Sequence, residues 1–230
     1  MILIKSINKK ILKRKLLINH FKETHINRAI VAINAQTYLE IGVRNGDGFH
    51  QIKAPRKIGV DPFRQNFIEQ DNEIYFELNS DDFFAKEAAK LFNNDKIDVA
   101  LVDGLHEFQQ ALKDVINISK FISENGYIFI HDCNPPTEKH ESTRDGCDWN
   151  GDVWKTLLFL KKHHPELKYF TLDCDYGVGV VYGFTKHSNP LLFSPEYVAY
   201  CKSLDYNYFD NHREEILNLK SRSFSRTFFK

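Results

Sequence analysis

The sequence predicts an α/β fold: a doubly wound, mostly parallel sheet of seven strands with one strand reversed, helices on both faces and helical additions at each end. Three observations predict it. Short runs rich in β-branched, aromatic and other apolar residues alternate with segments of helical apolar spacing, the order expected of a parallel sheet covered by helices. Most of these runs stop in a polar or glycine-containing stretch. The last two runs are separated by a connection too short for a crossover helix, so they pair as a hairpin and one of them runs backwards.

At the start of the chain, residues 1–22 carry Lys5, Lys9, Lys10, Lys13, Arg14, Lys15 and Lys22 with no acidic residue, while Ile4, Ile7, Ile11 and Leu12 recur at roughly helical spacing. That is a basic amphipathic helix, suited either to an anionic membrane surface or partner or to a solvated face on a helix capping the domain. Strands are expected at TYLEIGV (37–43), RKIGVDP (56–62), EIYFEL (73–78), KIDVALVD (96–103) and GYIFIHD (126–132). Helices are expected at SDDFFAKEAAKLF (80–92) and HEFQQALKDVINISKFI (106–122), each opened by acidic residues that suit a helix N-terminus. A further helix starts near Asp152, and the strands KYFTLDC and GVGVVYGF form the closing hairpin across an Asp-Tyr turn. EYVAYCKSL and NHREEILNLK read as C-terminal helices, and SRSFSRTFFK as a poorly ordered tail. The division is residues 1–35 as a basic helical cap, 36–188 as the main domain and 189–230 as a helical appendage.

Composition bounds the function. A chain of 230 residues can bury one full-sized core. Lys plus Arg equals Asp plus Glu at 31 each, so no global field draws the protein to nucleic acid. The four cysteines, Cys133, Cys147, Cys174 and Cys201, form no Cys-x-x-Cys pair and suit a reducing cytosol. The N-terminal apolar residues are broken by lysines, so neither an export signal nor a membrane span is expected there, and the expected location is cytoplasmic.

Every polar cluster falls at the carboxyl end of an expected strand, which is where an open parallel sheet binds its ligand. Glu40 lies near the end of the first strand, with Gly42, Gly46 and Gly48 in the turn after it. Glycines let a backbone approach a ligand, and the N–H groups of a succeeding helix would receive an anionic group. The spacing is E-x-G-x-x-x-G, not the G-x-G-x-x-G that admits a pyrophosphate, and a carboxylate in that place repels a pyrophosphate and welcomes a cation. A plain structural turn is the alternative. The second strand ends at Asp61, placed to receive both ribose hydroxyls of a nucleoside. The third leads to Ser80 and Asp81, which suit an adenine edge or, equally, a helix N-cap. Three strand ends therefore suit a cationic adenosine compound.

Here the sequence resembles the class I S-adenosylmethionine-dependent methyltransferases, over roughly residues 36–185. YLEIGVRNGDG is similar to their first motif, VDPF to their ribose-binding acidic motif, and the closing hairpin to their reversed seventh strand, which implies a Rossmann-like fold and S-adenosylmethionine as donor. The set SDDFF, VDGLHEFQQALKD, GYIFIHDCNPPTE and WNGDVWK resembles a bacterial branch associated with glycan and polysaccharide biosynthesis, implying a sugar or glycan-precursor hydroxyl as acceptor.

The fourth strand ends at Asp103 and His106, the fifth at His131 and Asp132, with Cys133, Asn134 and Pro135-Pro136 next in the chain. A histidine suits deprotonation of an acceptor hydroxyl, and His106 is the candidate general base. Asp103 and Asp132 are the candidate oxygen ligands of a divalent cation such as Mg²⁺. The macrolide-sugar and catechol O-methyltransferases place acidic residues similarly, and Asp103 with His106 matches the D-x-x-H of the former; His131 stands where an acid is expected. Three rivals stay open. The two histidines and two aspartates suit a metal-dependent oxygenase or hydrolase. The nucleoside pocket without catalysis suits a binding module, with the two termini used for assembly. The four polar residues also suit caps and backbone hydrogen bonds, Asp103 capping the next helix. The connection from Asn134 to Gly151 is long enough to be functional. In it Trp149 suits stacking on a sugar, while Trp154 suits the core. Acceptor identity and any homo-oligomer are left open.

Overall fold

The computed structural model describes residues 21–144, 148–185 and 191–230. The expected helix over residues 1–20, Cys147 and the 188/189 boundary lie outside the described residues. Eight strands form one sheet: β1 (Thr37–Ile41), β2 (Arg56–Val60), β3 (Glu73–Phe76), β4 (Ile97–Val102), β5 (Ile122–Ile130), β6 (Lys168–Asp173), β7 (Val178–Tyr182) and β8 (Leu219–Ser221). Their order is β3-β2-β1-β4-β5-β7-β6-β8. Among the described residues, β7 alone runs against its neighbours, pairing antiparallel with both β5 and β6. The doubly wound α/β sheet and its reversed strand are as expected; the eighth strand is not. It is three residues long, too short to show a period, and pairs parallel with β6 at the edge.

The helices are α1 (Lys22–Ile33), α2 (Ser80–Lys86), α3 (Ala88–Leu91), α4 (Phe108–Ser119), α5 (Glu138–Ser142), α6 (Trp154–His163), α7 (Pro195–Ser203), α8 (Tyr206–Leu217) and α9 (Ser225–Phe228). The central strands are buried on both faces, as continuous apolar runs such as IDVALV require. On one face, Leu39, Ile41, Val60 and Val102 pack with Phe83, Leu112, Trp154, Leu160 and Phe209 from α2, α4, α6 and α8. On the other, Tyr38, Leu101 and Phe129 pack with Ile26, Ala29 and Ile30 of α1. α1 is thus part of the second face.

That second face is finished by the C-terminus. The segment expected to be poorly ordered places Phe224, Phe228 and Phe229 against Phe170, Tyr127, Phe129 and Tyr182. Ser225 is fully buried; its Oγ accepts from Arg28 Nη1 at 2.7 Å and lies 2.7 Å from His25 Nδ1. Exposing all three phenylalanine rings to water would be costly, and their burial is the force that orders the tail.

Candidate functional site

Register brings the polar strand ends together. Glu40 pairs with Leu101 and Ile41 with Val102, and Val102 in turn pairs with Ile130. The next residues, Gly42, Asp103 and His131, therefore stand side by side, held by Asp103 N–H to the Ile41 carbonyl at 2.8 Å and His131 N–H to the Val102 carbonyl at 3.0 Å. A Cβ on Gly42 would lie 2.0 Å from the Asp103 carbonyl oxygen, and its φ of +92° is in the left-handed region, so β1 and β4 converge here only with glycine.

The expected quartet is a single ion cluster. His131 Nδ1 lies 3.0 Å from Asp103 Oδ1 and 3.2 Å from Asp132 Oδ2. His106 faces the same two acids, Nδ1 at 3.3 Å from Asp132 Oδ2 and Nε2 at 3.7 Å from Asp103 Oδ1. Burial works against charge on Asp103, but His131 and Lys22 hold its carboxyl well below the usual range. Burial likewise disfavours the charged form of His131, and Asp103 and Asp132 outweigh it, raising the imidazole well above its ordinary value. For His106 the balance has the same sign: burial lowers, Asp103 and Asp132 raise, and the net shift is upward.

Three partners are not visible in the sequence. Lys22, at the start of α1, places Nζ 3.2 Å from Asp103 Oδ2. Asp175 in the β6–β7 turn takes the backbone N–H of Lys22 at 3.1 Å and faces His131 Nε2 at 3.4 Å. Asn150 Nδ2 donates to Asp132 Oδ1 at 2.5 Å. One signal exists for Asp175: it and Tyr176 fill a tight hairpin turn at φ of +48° and +55°, a conformation for which Asn-Gly or Asp-Gly is the ordinary choice.

The long connection after β5 folds back onto His106. The imidazole Nδ1 lies 2.8 Å from the carbonyl oxygen of Trp149, whose indole stacks on the imidazole at 5.4 Å between centroids. The Arg144 guanidinium lies over the Trp149 ring, 4.9 Å from its centroid. Asp152 Oδ1 accepts the backbone N–H of Phe108 at 2.7 Å, so the cap of α4 comes from this connection and not from Asp103, whose carboxylate belongs to the ion cluster. Trp154 is fully buried and stacks on Phe209 at 4.8 Å, and Cys133 is fully buried.

Toward β1 and β2, Glu40 is buried and accepts from the Tyr38 hydroxyl at 2.6 Å; burial pushes its carboxyl up to about 8. Asp61 accepts backbone N–H groups from Arg44 (2.8 Å) and Phe63 (2.9 Å), one on each oxygen, so each oxygen keeps a lone pair for a ribose hydroxyl. After Gly46 the chain makes only one 3₁₀ turn, Phe49–Gln51, in place of the expected helix with an anion-binding N-terminus. The Phe67 ring occupies the space beside Gly46, stacked on His50 at 5.1 Å. Ser80 and Asp81 open α2, where Asn79 is the cap. Gln110 Nε2 donates to Ser80 Oγ at 3.0 Å, and Lys113 pairs with Asp81 at 2.7 Å.

A divalent cation can be tested against the donors. Asp103, His131 and Asp132 place one potential ligand atom each within 4.8 Å of one another. His131 Nδ1 sits at hydrogen-bond distance from both carboxylates, which only accept, so with this geometry Nδ1 carries a proton and offers no lone pair to a metal. Asp103 Oδ2 is taken by Lys22 and Asp132 Oδ1 by Asn150. This arrangement does not fit a Mg²⁺ centre, and the expected pair of oxygen ligands is internally compensated.

Residues 39–133 match a family model described as a methyltransferase domain. No curated protein matches the chain. Among solved structures, the chain is similar to one described as a caffeoyl-CoA O-methyltransferase from Staphylococcus aureus, with TM-score 0.52 and 15% identity over 75% of this chain and 90% of that one. It is also similar to the cofactor-bound protein Rv0187 from MTB, with TM-score 0.51 and 12% identity over 70% and 80%. At such identities the structures establish the fold alone. Over residues 39–133, from within β1 to just past the end of β5, the chain is similar to a methyltransferase domain.

Proposed function

We propose that this enzyme methylates a hydroxyl of a sugar or glycan precursor, in the cytosol, with His106 as general base. One observation carries the base assignment. The Trp149 carbonyl only accepts, so in the neutral ring the proton sits on Nδ1 and the lone pair on Nε2. That nitrogen belongs to a partly exposed side chain, 26% accessible, while His131 is enclosed.

Bound S-adenosylmethionine supplies an electrophilic methyl group. Glu40 and the surrounding acids favour its positive charge, Gly42 and Gly46 leave room for its approach, and Asp61 accepts from its ribose. Ser80 and Asp81 shape this edge through their bonds to Gln110 and Lys113. His106 Nε2 takes the hydroxyl proton as the acceptor oxygen gains the methyl group, and Asp103 and Asp132 stabilise the imidazolium so formed. Stacked Trp149 offers a flat apolar wall of the kind that suits a sugar ring. No helix among the described residues is long and apolar enough to cross a membrane.

The test is calorimetry with S-adenosylhomocysteine on the wild type and on Asp61→Ala, together with mass spectrometry of cell-surface glycans with and without the gene. Donor binding that weakens in Asp61→Ala, and a methyl group missing from a sugar hydroxyl in the deletion, are expected. Absence of any binding heat in the wild type overturns the donor assignment; unchanged glycans overturn the acceptor class.

A further inference from the structure

The ammonium of Lys22 meets the candidate cluster at one of its carboxylates, on the Asp103 oxygen opposite the one that faces His131 and His106. Lys22 Nζ is 3.2 Å from Asp103 Oδ2 and 3.7 Å from Glu23 Oε1, with a side chain only 18% accessible. Its backbone N–H donates to Asp175 Oδ2, so the same residue is fixed at both ends by acids from the end of β4 and from the β6–β7 turn. Asp103, Glu23 and Asp175 thus surround Lys22 with carboxylates, an environment that favours its ammonium form. Lys22 and His106 also face opposite oxygens of one carboxylate, Oδ2 and Oδ1 of Asp103.

The residue lies upstream of the segment 39–133 that matches the methyltransferase domain, on a helix whose inner face (Ile26, Ala29, Ile30) is part of the core. It is therefore delivered by a rigid element and not by a flexible tail. A second observation marks this side of the cluster as electrostatically demanding: His131 is buried, and its Nε2, 3.4 Å from Asp175, makes no well-formed hydrogen bond. Removing the ammonium leaves Asp103 with the histidines as counter-charge on its other oxygen and none on Oδ2, an imbalance that another cation would relieve.

We propose that Lys22 is the resident cation of the site, a positioning residue that fixes Asp103 in place of a divalent ion and makes the enzyme metal-independent. The role in turnover rests on the methyltransferase reading, while the pairing of the ammonium with Asp103 stands on the geometry alone.

The experiment uses full-length protein stripped with a chelator, and Mn²⁺ alone as probe, read by the loss of its free electron paramagnetic resonance signal. The wild type is expected to bind Mn²⁺ no more tightly than about 1 mM, the weak end of oxygen-ligand sites. Lys22→Gln, which keeps most of the side-chain length, should gain at least about tenfold in Mn²⁺ affinity, and Lys22→Arg should restore exclusion. One tightly bound Mn²⁺ per wild-type chain overturns the proposal, and so does Lys22→Gln that folds, by circular dichroism, yet binds Mn²⁺ no better. If Lys22→Gln does not fold, the wild-type titration and Lys22→Arg decide alone: tight Mn²⁺ binding by either overturns it. S-adenosylhomocysteine calorimetry on the same wild-type sample keeps the two readings apart, since loss of donor binding would remove the methyltransferase reading without touching the Mn²⁺ result.

Discussion

Gly151 and His106 touch across 45 residues of sequence: a Cβ on Gly151 would lie 1.6 Å from the His106 carbonyl oxygen, and Gly151 has a φ of +66°. Its neighbours Trp149, Asn150 and Asp152 each bond a different part of the site: the His106 ring, Asp132 and the Phe108 N–H. The glycine is what lets this short segment lie flat on the strand end.

Gly151→Ala should therefore displace the segment and with it the carbonyl that sets the His106 tautomer. The expected cost is about 1–3 kcal/mol of stability from the forced left-handed conformation and the clash together. Donor binding, made at the other end of the edge, should change by less than about threefold, while methyl transfer falls by at least about tenfold. Urea denaturation, calorimetry and kcat separate the three quantities.

His106→Gln tests the base. It should lower kcat/KM by a factor of about 10²–10⁴, the usual contribution of a positioned base, and leave S-adenosylhomocysteine affinity nearly unchanged. A base must be unprotonated to act, and its pKa is shifted upward in the fold. Activity should therefore rise with pH through a midpoint above the ordinary histidine value, and this limb should vanish in the variant. A midpoint below the ordinary value would exclude His106 as the group responsible.

Most of the sheet is legible because its strands are long apolar runs with turn signals at each end, as at KIDVALVD and GYIFIHD. The gathering of Asp103, His106, His131 and Asp132 at adjacent strand ends is legible from topology, since neighbours in a parallel sheet share an edge. Contacts made from afar in the chain are hidden. Lys22 resembles one more charge on a basic face, because nothing local to it reveals that α1 begins beside Asp103. Asn150 and Asp152 resemble ordinary loop residues, because a cap normally precedes its helix directly and this one comes from 44 residues downstream. The 3₁₀ turn after Gly46 has the sequence cues of a helix, because glycines after a strand do not report how long the next helical segment is.

Glu40 gives a prediction from burial. Its carboxyl is raised from 4.5 to about 8, so the folded protein holds this proton more tightly than the unfolded chain does. The resulting stabilisation is complete below the unfolded value and is lost as pH rises toward 8. A cationic donor favours the carboxylate form, so its binding must expel the proton at lower pH. Affinity for S-adenosylmethionine should consequently increase between about pH 6 and about pH 8, by at most about tenfold per pH unit, and proton release should be measurable in buffers of different ionisation enthalpy. In Glu40→Gln the affinity should be lower and this pH dependence absent. An equally steep dependence in the variant would place the titrating group elsewhere.

The C-terminal tail makes the last prediction, on stability. Phe229 is 7% accessible and meets Tyr127 edge-on at 5.2 Å and Phe129 at 6.1 Å, covering the face of β5, the strand that leads into His131. Truncating a buried phenylalanine removes its transfer free energy and leaves a cavity, so Phe229→Ala should cost about 3 kcal/mol in urea denaturation, and Phe229→Leu distinctly less. Lys230→Ala, at the exposed end of the same segment, should change stability by less than about 0.5 kcal/mol. Because β5 is held from this side by the tail and from the other by α4 and α6, Phe229→Ala should also loosen the His131–Asp103 contact. That loosening would be seen as faster amide exchange at His131, whose N–H is bonded to the Val102 carbonyl. A tail that merely fluctuated in solvent would show neither the stability loss nor the exchange.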